Sequence, residues 1–246
     1  MTALQTPLRL AMWSGPRNIS TAMMRAWGNR ADTIVVDEPL YAHYLAVTGR
    51  IHPGRAETLA TQDANAERVI DNLLGSLPPG KSIYFQKHMA HHLLDDVPRD
   101  WLDRVTNCFL IRDPAAMLTS LLKHVPDARL PDTGLPQQAE IFRRVRERTG
   151  KTPPVIDSRD VLENPRGILT KLCAALGIPF DDAMLAWPPG ARATDGAWAP
   201  YWYKEVERTT GFQPYRPKDE RVPRELEGML AECQPFYLEM HAARIQ

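Results

Sequence analysis

The stretch LRLAMWSGPRNIST, residues 8–21, decides the fold because an apolar run ends in a turn and a helical pattern follows at once. Residues 8–13 are mostly apolar, Ser14-Gly15-Pro16 is typical of a turn, and residues 19–27 carry apolar side chains at helical spacing. The stretch therefore predicts a strand, a tight turn and a helix.

The rest of the chain continues this alternation of strands and helices. Further strands are predicted at 33–36, 82–85, 105–111 and 154–157, and helices at 41–47, 65–77, 114–123, 165–176 and 224–242. Such an order indicates an α/β fold whose mostly parallel sheet has helices on both faces, with ligands bound at the carboxyl ends of the strands. With no internal repeat or long linker, residues 1–246 are predicted to form a single domain, and residues 126–136 a mobile loop.

The composition is that of an ordinary globular protein. Of the 246 residues, 43% are hydrophobic and 24% are charged, which argues against a disordered or fibrous chain. Thirty Lys and Arg balance thirty Asp and Glu, so no overall field attracts nucleic acid or an anionic membrane. Any anionic ligand must be bound by a local group of residues.

The cysteines and the apolar segments indicate a cytoplasmic protein. Cys108, Cys173 and Cys233 are far apart and form no CxxC pair, which predicts free thiols rather than a disulfide framework or a cysteine zinc site. We expect neither a signal peptide nor a membrane span, because no apolar run has the required length and flanks.

Two turns carry residues suited to anions. In the first, Arg17, Ser20 and Thr21 lie at a helix start, where backbone N–H groups attract phosphate, although the GxxxxGK[ST] spacing of a Walker A loop is absent. In the second, Arg112 ends an apolar strand and Ser120 follows eight residues later on a helix, so both can reach one anion. The alternatives are a capped helix with a surface arginine and a strand-end salt bridge.

These two turns resemble the motifs of the sulfotransferase superfamily. The family's phosphosulfate loop reads approximately P-[KR]-S-G-[ST]-[ST], matched here by Pro16, Arg17, Ser20 and Thr21, while Asn18 and Ile19 replace the usual Ser-Gly. A side chain therefore stands at residue 19, where the family's glycine permits close approach of the backbone to phosphate. Arg112 and Ser120 match the family's 3'-phosphate motif. Weaker similarities extend through residues 155–189 and to Arg192, Gly196 and Trp198.

The resemblance implies a three-layer α/β/α, P-loop NTPase-like sulfotransferase fold and 3'-phosphoadenosine 5'-phosphosulfate as co-substrate. The loop residues that would surround the 5'-phosphosulfate are Gly15, Pro16, Arg17, Asn18, Ile19, Ser20 and Thr21. Arg17 would neutralise the leaving phosphate, Arg112 and Ser120 would hold the 3'-phosphate, and Arg192 would contact the nucleotide from the closing segment. The scheme requires no metal, since positioning and charge stabilisation carry the transfer.

Two residues compete as the base that takes the proton of the acceptor hydroxyl. Glu38 follows a predicted strand, 21 residues after Arg17, a spacing similar to the catalytic Glu of the carbohydrate and protein-tyrosine branches. His88 also follows a strand, in the order Gln86-Lys87-His88, and resembles the catalytic His of the small-molecule branch. We favour Glu38, with His88 as alternative base or acceptor-positioning group. Lys87 could assist Arg17 or be an ordinary loop lysine.

Other clusters are given plainer interpretations. The spacing of His88, His91 and His92 permits a metal site, but no carboxylate or cysteine stands at a motif spacing, so none is predicted. The basic run at 143–151 is interpreted as a solvated helix face, since acidic residues interrupt it. The aromatic residues at 198–212 could line an acceptor pocket, stack on adenine or pack in the core.

The sequence thus predicts a sulfotransferase that acts on a hydroxyl of a small-molecule or carbohydrate acceptor. The alternatives are a small-molecule kinase on a P-loop-like fold, which would need Mg²⁺, and a nucleotide-binding protein without turnover. Neither the acceptor nor the oligomeric state follows from the sequence, because specificity depends on pocket shape and loops.

Overall fold

A computed structural model describes residues 7–217 and 222–246 and contains a five-stranded parallel sheet. The strands are β1 (Leu8–Ser14), β2 (Thr33–Asp37), β3 (Ile83–Met89), β4 (Thr106–Ile111) and β5 (Val155–Asp157). Their order in the sheet is β2-β3-β1-β4-β5, and every neighbouring pair is parallel. The predicted parallel sheet is confirmed.

Ten α-helices connect and cover the strands in the described part of the chain. They are α1 (Ser20–Gly28), α2 (Tyr41–Thr48), α3 (Arg55–Thr61), α4 (Ala66–Leu74), α5 (Pro114–Leu121), α6 (Leu135–Thr149), α7 (Ser158–Glu163), α8 (Pro165–Ala175), α9 (Ala199–Trp202) and α10 (Glu227–His241). None of these helices is both long and apolar enough to cross a membrane.

The sheet has a hydrophobic core on each face, which makes the fold three-layered. Successive residues of a strand point to opposite faces, so Ala11 and Trp13 pack in one core while Leu10 and Met12 pack in the other. The apolar sequence of β1 is therefore that of a strand buried on both sides, as parallel strands between two helical layers are. The predicted α/β/α arrangement is confirmed.

The strand register brings four loops to one edge of the sheet. Ser14 of β1 lies opposite Met89 of β3 and Leu110 of β4, while Asp37 of β2 lies opposite Lys87. Because the strands end at nearly the same level, the segments that follow them lie side by side.

Local capping explains where several helices begin. The carboxylate of Asp113 accepts a hydrogen bond of 3.0 Å from the Ala116 N–H, and Pro114 occupies the first turn of α5, as predicted. The amide of Asn65 likewise accepts from the Arg68 N–H at 2.9 Å and starts α4. The predicted helix at 65–77 ends earlier, at Leu74, because the chain turns at Gly75.

The segment 126–136, for which the sequence predicts a mobile loop, contains a 3₁₀ helix at Leu130–Thr133. Thr133 is fully buried, and its carbonyl lies against Gly15 at the turn after β1. A Cβ at Gly15 would come within 2.4 Å of that oxygen, so Gly15 is required for close packing of two loops rather than for backbone freedom.

The basic run of α6 forms ion pairs on the protein surface. This agrees with its interpretation as a solvated helix face. Arg143 binds Glu239 of α10, and Arg148 binds Asp103. Asp103 and Asp100 also accept from Arg144.

The closing helix begins with a 3₁₀ turn at Arg224–Leu226 and continues as α10, close to the predicted 224–242. That residues 1–246 form a single domain remains a prediction.

Replacing Gly15 by Ala should destabilise the protein by about 1 to 3 kcal/mol, because the added methyl group forces the Thr133 loop away. Urea denaturation of both proteins measures the difference. Gly228→Ala is the control: a Cβ there meets no atom within 4 Å, and α10 should become slightly more stable. Equal stability of Gly15→Ala and the wild type would show that this loop contact does not restrict residue 15.

Candidate active site

A cleft of about 430 Å³ lies at the carboxyl edge of the sheet. It is lined by residues from the segments that follow β1, β2, β3 and β4, together with residues near α9. This is the position at which parallel α/β sheets bind ligands, and it contains most of the residues that the sequence singles out.

The loop after β1 is fastened by Asn18. Its side-chain amide donates to the Leu110 carbonyl at 2.9 Å and accepts from the Ile19 N–H at 2.9 Å. Arg17 adopts a left-handed conformation with a φ of +57°, which is uncommon for a residue with a side chain and often marks a functional site. Residues 16–21 line the cleft, whereas Gly15 lies outside it against Thr133.

The N-terminus of α1 points its free N–H groups toward this cleft. The Ile19 N–H is already used by Asn18, but those of Ser20, Thr21 and Ala22 have no acceptor within the helix. These three residues line the cleft. Free N–H groups and the helix dipole together favour an anion here. Although Ile19 stands where the family has glycine, three N–H groups therefore remain available to an anion.

Two half-buried arginines converge on the same cleft. The Arg112 guanidinium donates to the Arg17 carbonyl, and the Nε of Arg17 donates to the Ser120 hydroxyl at 3.0 Å. Neither guanidinium forms an ion pair with a carboxylate within residues 7–217 and 222–246. Burial lowers the pKa of both, and the charge of Arg17 lowers that of Arg112 further. Two half-buried cations that pair with no described carboxylate are suited to an anionic ligand.

Ser120 occupies a different place from the one that its spacing suggests. It is buried on α5 and contacts Arg17, the arginine of the first turn, rather than Arg112. It is not among the residues that line the cleft. Ser120 therefore orients Arg17, and the two predicted phosphate motifs are joined by this hydrogen bond.

Lys87 is buried in the floor of the cleft, and all three of its N–H donors are used. They reach Oδ1 of Asp37 at 2.8 Å, Oε1 of Glu38 at 2.5 Å and the hydroxyl of Tyr203 at 2.7 Å. The Tyr203 hydroxyl in turn donates to Asp37. Because no donor is left over, Lys87 is not free to assist Arg17 with an anion, and its role is to hold Glu38.

Glu38 lies beside the cleft in a strained and poorly solvated position. Its φ is +41°, and the residue is buried. Burial raises the pKa of the Glu38 carboxyl, and the neighbouring charge of Asp37 raises it further, while Lys87 acts in the opposite direction. Lys87 uses only Oε1, and no described residue donates a hydrogen bond to Oε2. Glu38 therefore has one oxygen available to take a proton.

His88, the alternative base, lies on the wrong face of the sheet. Its ring is buried and stacks on Trp13 at a centroid distance of 4.3 Å, close to Trp101. It does not line the cleft, and burial lowers its pKa to about 3. Neighbouring strand residues point in opposite directions, so placing Lys87 at the cleft turns His88 into the core behind it. His88 thus lies away from the cleft, and its position does not support a role at the acceptor.

Two other histidines reach the cleft instead, within a wall of rings. The ring of His92 stacks on Tyr41 at 4.6 Å, and the ring of His91 meets Tyr44 edge-on at 5.3 Å. The Tyr41 hydroxyl hydrogen-bonds to Nδ1 of His52 at 2.9 Å. Nδ1 of His92 is 3.9 Å from Oε2 of Glu38 and has no hydrogen-bond partner among the described residues.

Arg192, predicted to contact the nucleotide, is also placed elsewhere. Its side chain donates to the Pro188 carbonyl at 3.1 Å, its N–H donates to Asp195, and it does not line the cleft. The segment is held instead by Gly196, whose N–H donates to Asp37 at 3.1 Å. The position of Arg192 therefore does not support the predicted contact with the nucleotide.

The sequence reasoning assigned no role in this site to Asp37 or His92, and it considered Tyr203 only as one of the aromatic residues that could line a pocket. Asp37 is adjacent to Glu38, so two acids at a strand end were a visible signal, whereas Tyr203 lies 116 residues after its partner Lys87. Among the residues that the structure describes, no group of three or more His, Cys, Asp or Glu side chains could hold a metal ion. The three cysteines are free and buried.

The fold and the cleft define an α/β protein whose first strand is followed by a loop suited to an anion. The chain matches the family model of the sulfotransferase domain over residues 8–244, so it belongs to the sulfotransferase family. The resemblance seen in the two arginine turns is confirmed.

Two relatives from Arabidopsis thaliana are similar over most of this chain. Branched-chain-amino-acid aminotransferase-like proteins 1 and 2 are 36% and 33% identical over 226 residues, which is 92% of this chain. The match covers only 40% of each relative. Their names therefore describe proteins more than twice as long as the shared region.

Solved sulfotransferase structures share the fold at low sequence identity. A sulfotransferase from Alicyclobacillus acidocaldarius has a TM-score of 0.54 at 12% identity and covers 97% of both chains. The sulfotransferase domain of the curacin biosynthetic pathway has a TM-score of 0.52 at 15% identity, covering 96% of this chain and 98% of its own.

Replacing Lys87 by Met should destabilise the protein by about 3 to 5 kcal/mol near pH 8, because two buried carboxylates lose their counter-charge. In the variant, burial and the charge of Asp37 would hold the folded-state pKa of Glu38 above its unfolded value without the opposing effect of Lys87, so the loss of stability should be largest when Glu38 is ionised. The loss of stability relative to the wild type should therefore become smaller as pH falls toward 5.

Urea denaturation at both pH values, with the exposed Lys204→Met as control, measures this effect. A deficit that is the same at pH 5 and pH 8 would contradict the charge argument.

Proposed function

We propose that this protein is a sulfotransferase that moves a sulfuryl group from 3'-phosphoadenosine 5'-phosphosulfate to a hydroxyl of a small-molecule or carbohydrate acceptor. The observation that carries the proposal is the pair of half-buried guanidiniums of Arg17 and Arg112, which form no ion pair with a carboxylate of the described residues, in a cleft that also contains Glu38. Family membership supports the reaction class.

The donor would bind where the positive charge is concentrated. The N–H groups of Ser20, Thr21 and Ala22 and the Arg17 guanidinium suit the 5'-phosphosulfate, because all face the cleft at the start of α1. Arg112, beside them at the end of β4, suits the 3'-phosphate. Ser120 would act through Arg17, which its hydroxyl orients.

The transfer needs an in-line displacement at sulfur and removal of one proton. The acceptor oxygen forms a bond to sulfur, the bond between sulfur and the 5'-phosphate oxygen breaks, and the proton of the hydroxyl goes to Oε2 of Glu38. Arg17 stabilises the negative charge that develops on the leaving phosphate. The raised pKa of Glu38 suits a group that must accept a proton near neutral pH.

Lys87 and Asp37 keep this carboxylate in place. Without Asp37, the Lys87 ammonium would pair with Glu38 as its only carboxylate and would lower the Glu38 pKa. Glu38 would then be a weaker base. We therefore expect Asp37 to be a positioning residue that affects the proton transfer without touching the acceptor.

Arg112→Ala should weaken binding of adenosine 3',5'-bisphosphate by about 1.5 to 3 kcal/mol, which is roughly 10- to 150-fold, because a charge-assisted contact to phosphate is lost. Isothermal titration calorimetry measures it. Arg192→Ala is the matched control and should leave the affinity unchanged, since Arg192 lies away from the cleft.

If Arg112→Ala binds the nucleotide as tightly as the wild type, Arg112 is not a phosphate ligand. Titration with ATP and Mg²⁺ distinguishes a sulfotransferase from the kinase alternative, because a kinase would bind ATP more tightly than adenosine 3',5'-bisphosphate.

Glu38→Gln should reduce turnover by about 10²- to 10⁴-fold while nucleotide affinity is kept, because the amide cannot take the proton of the acceptor. Transfer from ³⁵S-labelled donor to an accepted hydroxyl compound provides the rate, and calorimetry provides the affinity. Glu205→Gln, an exposed carboxylate at the same cleft, should retain the wild-type rate. Undiminished transfer by Glu38→Gln would remove Glu38 as the base.

A further inference from the structure

The cleft has two ends of different character. One end holds Arg17, Arg112 and the N-terminus of α1. The other, here called the ring arm, is formed by Tyr41, Tyr44, His52, His91 and His92. Glu38 stands beside the ring arm, since Nδ1 of His92 lies 3.9 Å from its carboxylate.

The ring arm offers no free cation within the described part of the chain. The only cations that line the cleft there are Arg17, Arg112 and Lys87, and Lys87 is fully paired. Arg50 lies close by but is bound by Asp132 at 2.8 Å and by Asp127 at 3.2 Å.

The ion pairs around the ring arm carry a net negative charge, because Lys87 pairs with two carboxylates, Asp37 and Glu38, and Arg50 pairs with two others, Asp127 and Asp132. Glu38 and Asp132 both line the cleft. The histidines add no positive charge, because burial lowers the pKa of His91 to about 3 and that of His92 well below its usual value. Burial also lowers the pKa of His52. An anionic group in this arm would meet two carboxylates and no unpaired cation.

We propose, resting on the function proposed above, that the ring arm binds the acceptor and selects hydroxyl compounds that carry no anionic group. The acceptor's ring or apolar body packs among the tyrosine and histidine rings, and its reacting hydroxyl lies at Oε2 of Glu38, next to His92. Carboxylated, phosphorylated or already sulfated acceptors are rejected by the charge of the arm.

Two probes of similar shape test the charge selectivity. The full chain is first saturated with adenosine 3',5'-bisphosphate, and phenol or 4-hydroxybenzoate is then titrated while the histidine ring signals are followed by NMR. Phenol should shift the signals of His91 and His92 but not those of His43 and His241, which do not line the cleft. 4-Hydroxybenzoate should bind at least about tenfold more weakly than phenol, because its carboxylate meets like charges in the ring arm.

A single substitution should change this preference. In Asp132→Asn, Arg50 loses its main carboxylate partner, so 4-hydroxybenzoate should bind roughly threefold or more tightly than to the wild type, with phenol unchanged. Asp127→Asn is the matched control. It removes an exposed partner of Arg50 that does not line the cleft, while Asp132 still holds Arg50, so both affinities should stay the same.

The inference would be overturned if the wild type bound 4-hydroxybenzoate as tightly as phenol or more tightly. It would also be overturned if phenol did not shift the ring signals of His91 and His92. Either result, obtained with the nucleotide bound, counts against the acceptor arm alone. Failure of adenosine 3',5'-bisphosphate to bind would overturn the proposed function and this inference with it.

Discussion

The buried ammonium group of Lys87 is the constraint on which the geometry of the cleft depends. An ammonium in a protein interior is tolerated only when its charge and all of its donors are matched. Asp37 and Glu38 at the end of β2 and Tyr203 after α9 satisfy it together, so three distant parts of the chain must meet at the end of β3. This meeting fixes the carboxylate of Glu38 at the cleft and ties the segment around α9 to the sheet.

The other cations of the cleft show the opposite arrangement. Arg17 and Arg112 contact a hydroxyl and a carbonyl, and neither forms an ion pair with a carboxylate of the described residues. One cation is thus neutralised internally and two remain open to a ligand. That difference divides the cleft into a cationic end, which the proposed function assigns to the anionic donor, and an acidic, ring-lined end, which it assigns to the acceptor, with Glu38 beside the second.

The sequence was most informative where chemistry follows directly from position along a strand. Arg17, Arg112 and Glu38 each come just after a predicted strand, and the structure brings them to one cleft. His88 satisfies the same rule but points into the opposite core, because strand alternation gives adjacent residues opposite faces and the sequence does not say which face meets the cleft. Ser120 was expected beside Arg112 and instead contacts Arg17, since residues eight apart on a strand end and a helix have several possible partners.

By itself the sequence determined the alternation of strands and helices, the parallel sheet and the edge at which the site lies, because apolar periodicity, turn residues and helix caps act over a few neighbouring residues. Only the tertiary structure decided that Lys87 pairs with Tyr203, 116 residues away, and that His91 and His92 rather than His88 line the cleft. The physical reason is that such contacts depend on strand order, register and the packing of loops from distant parts of the chain, none of which is encoded in a local pattern.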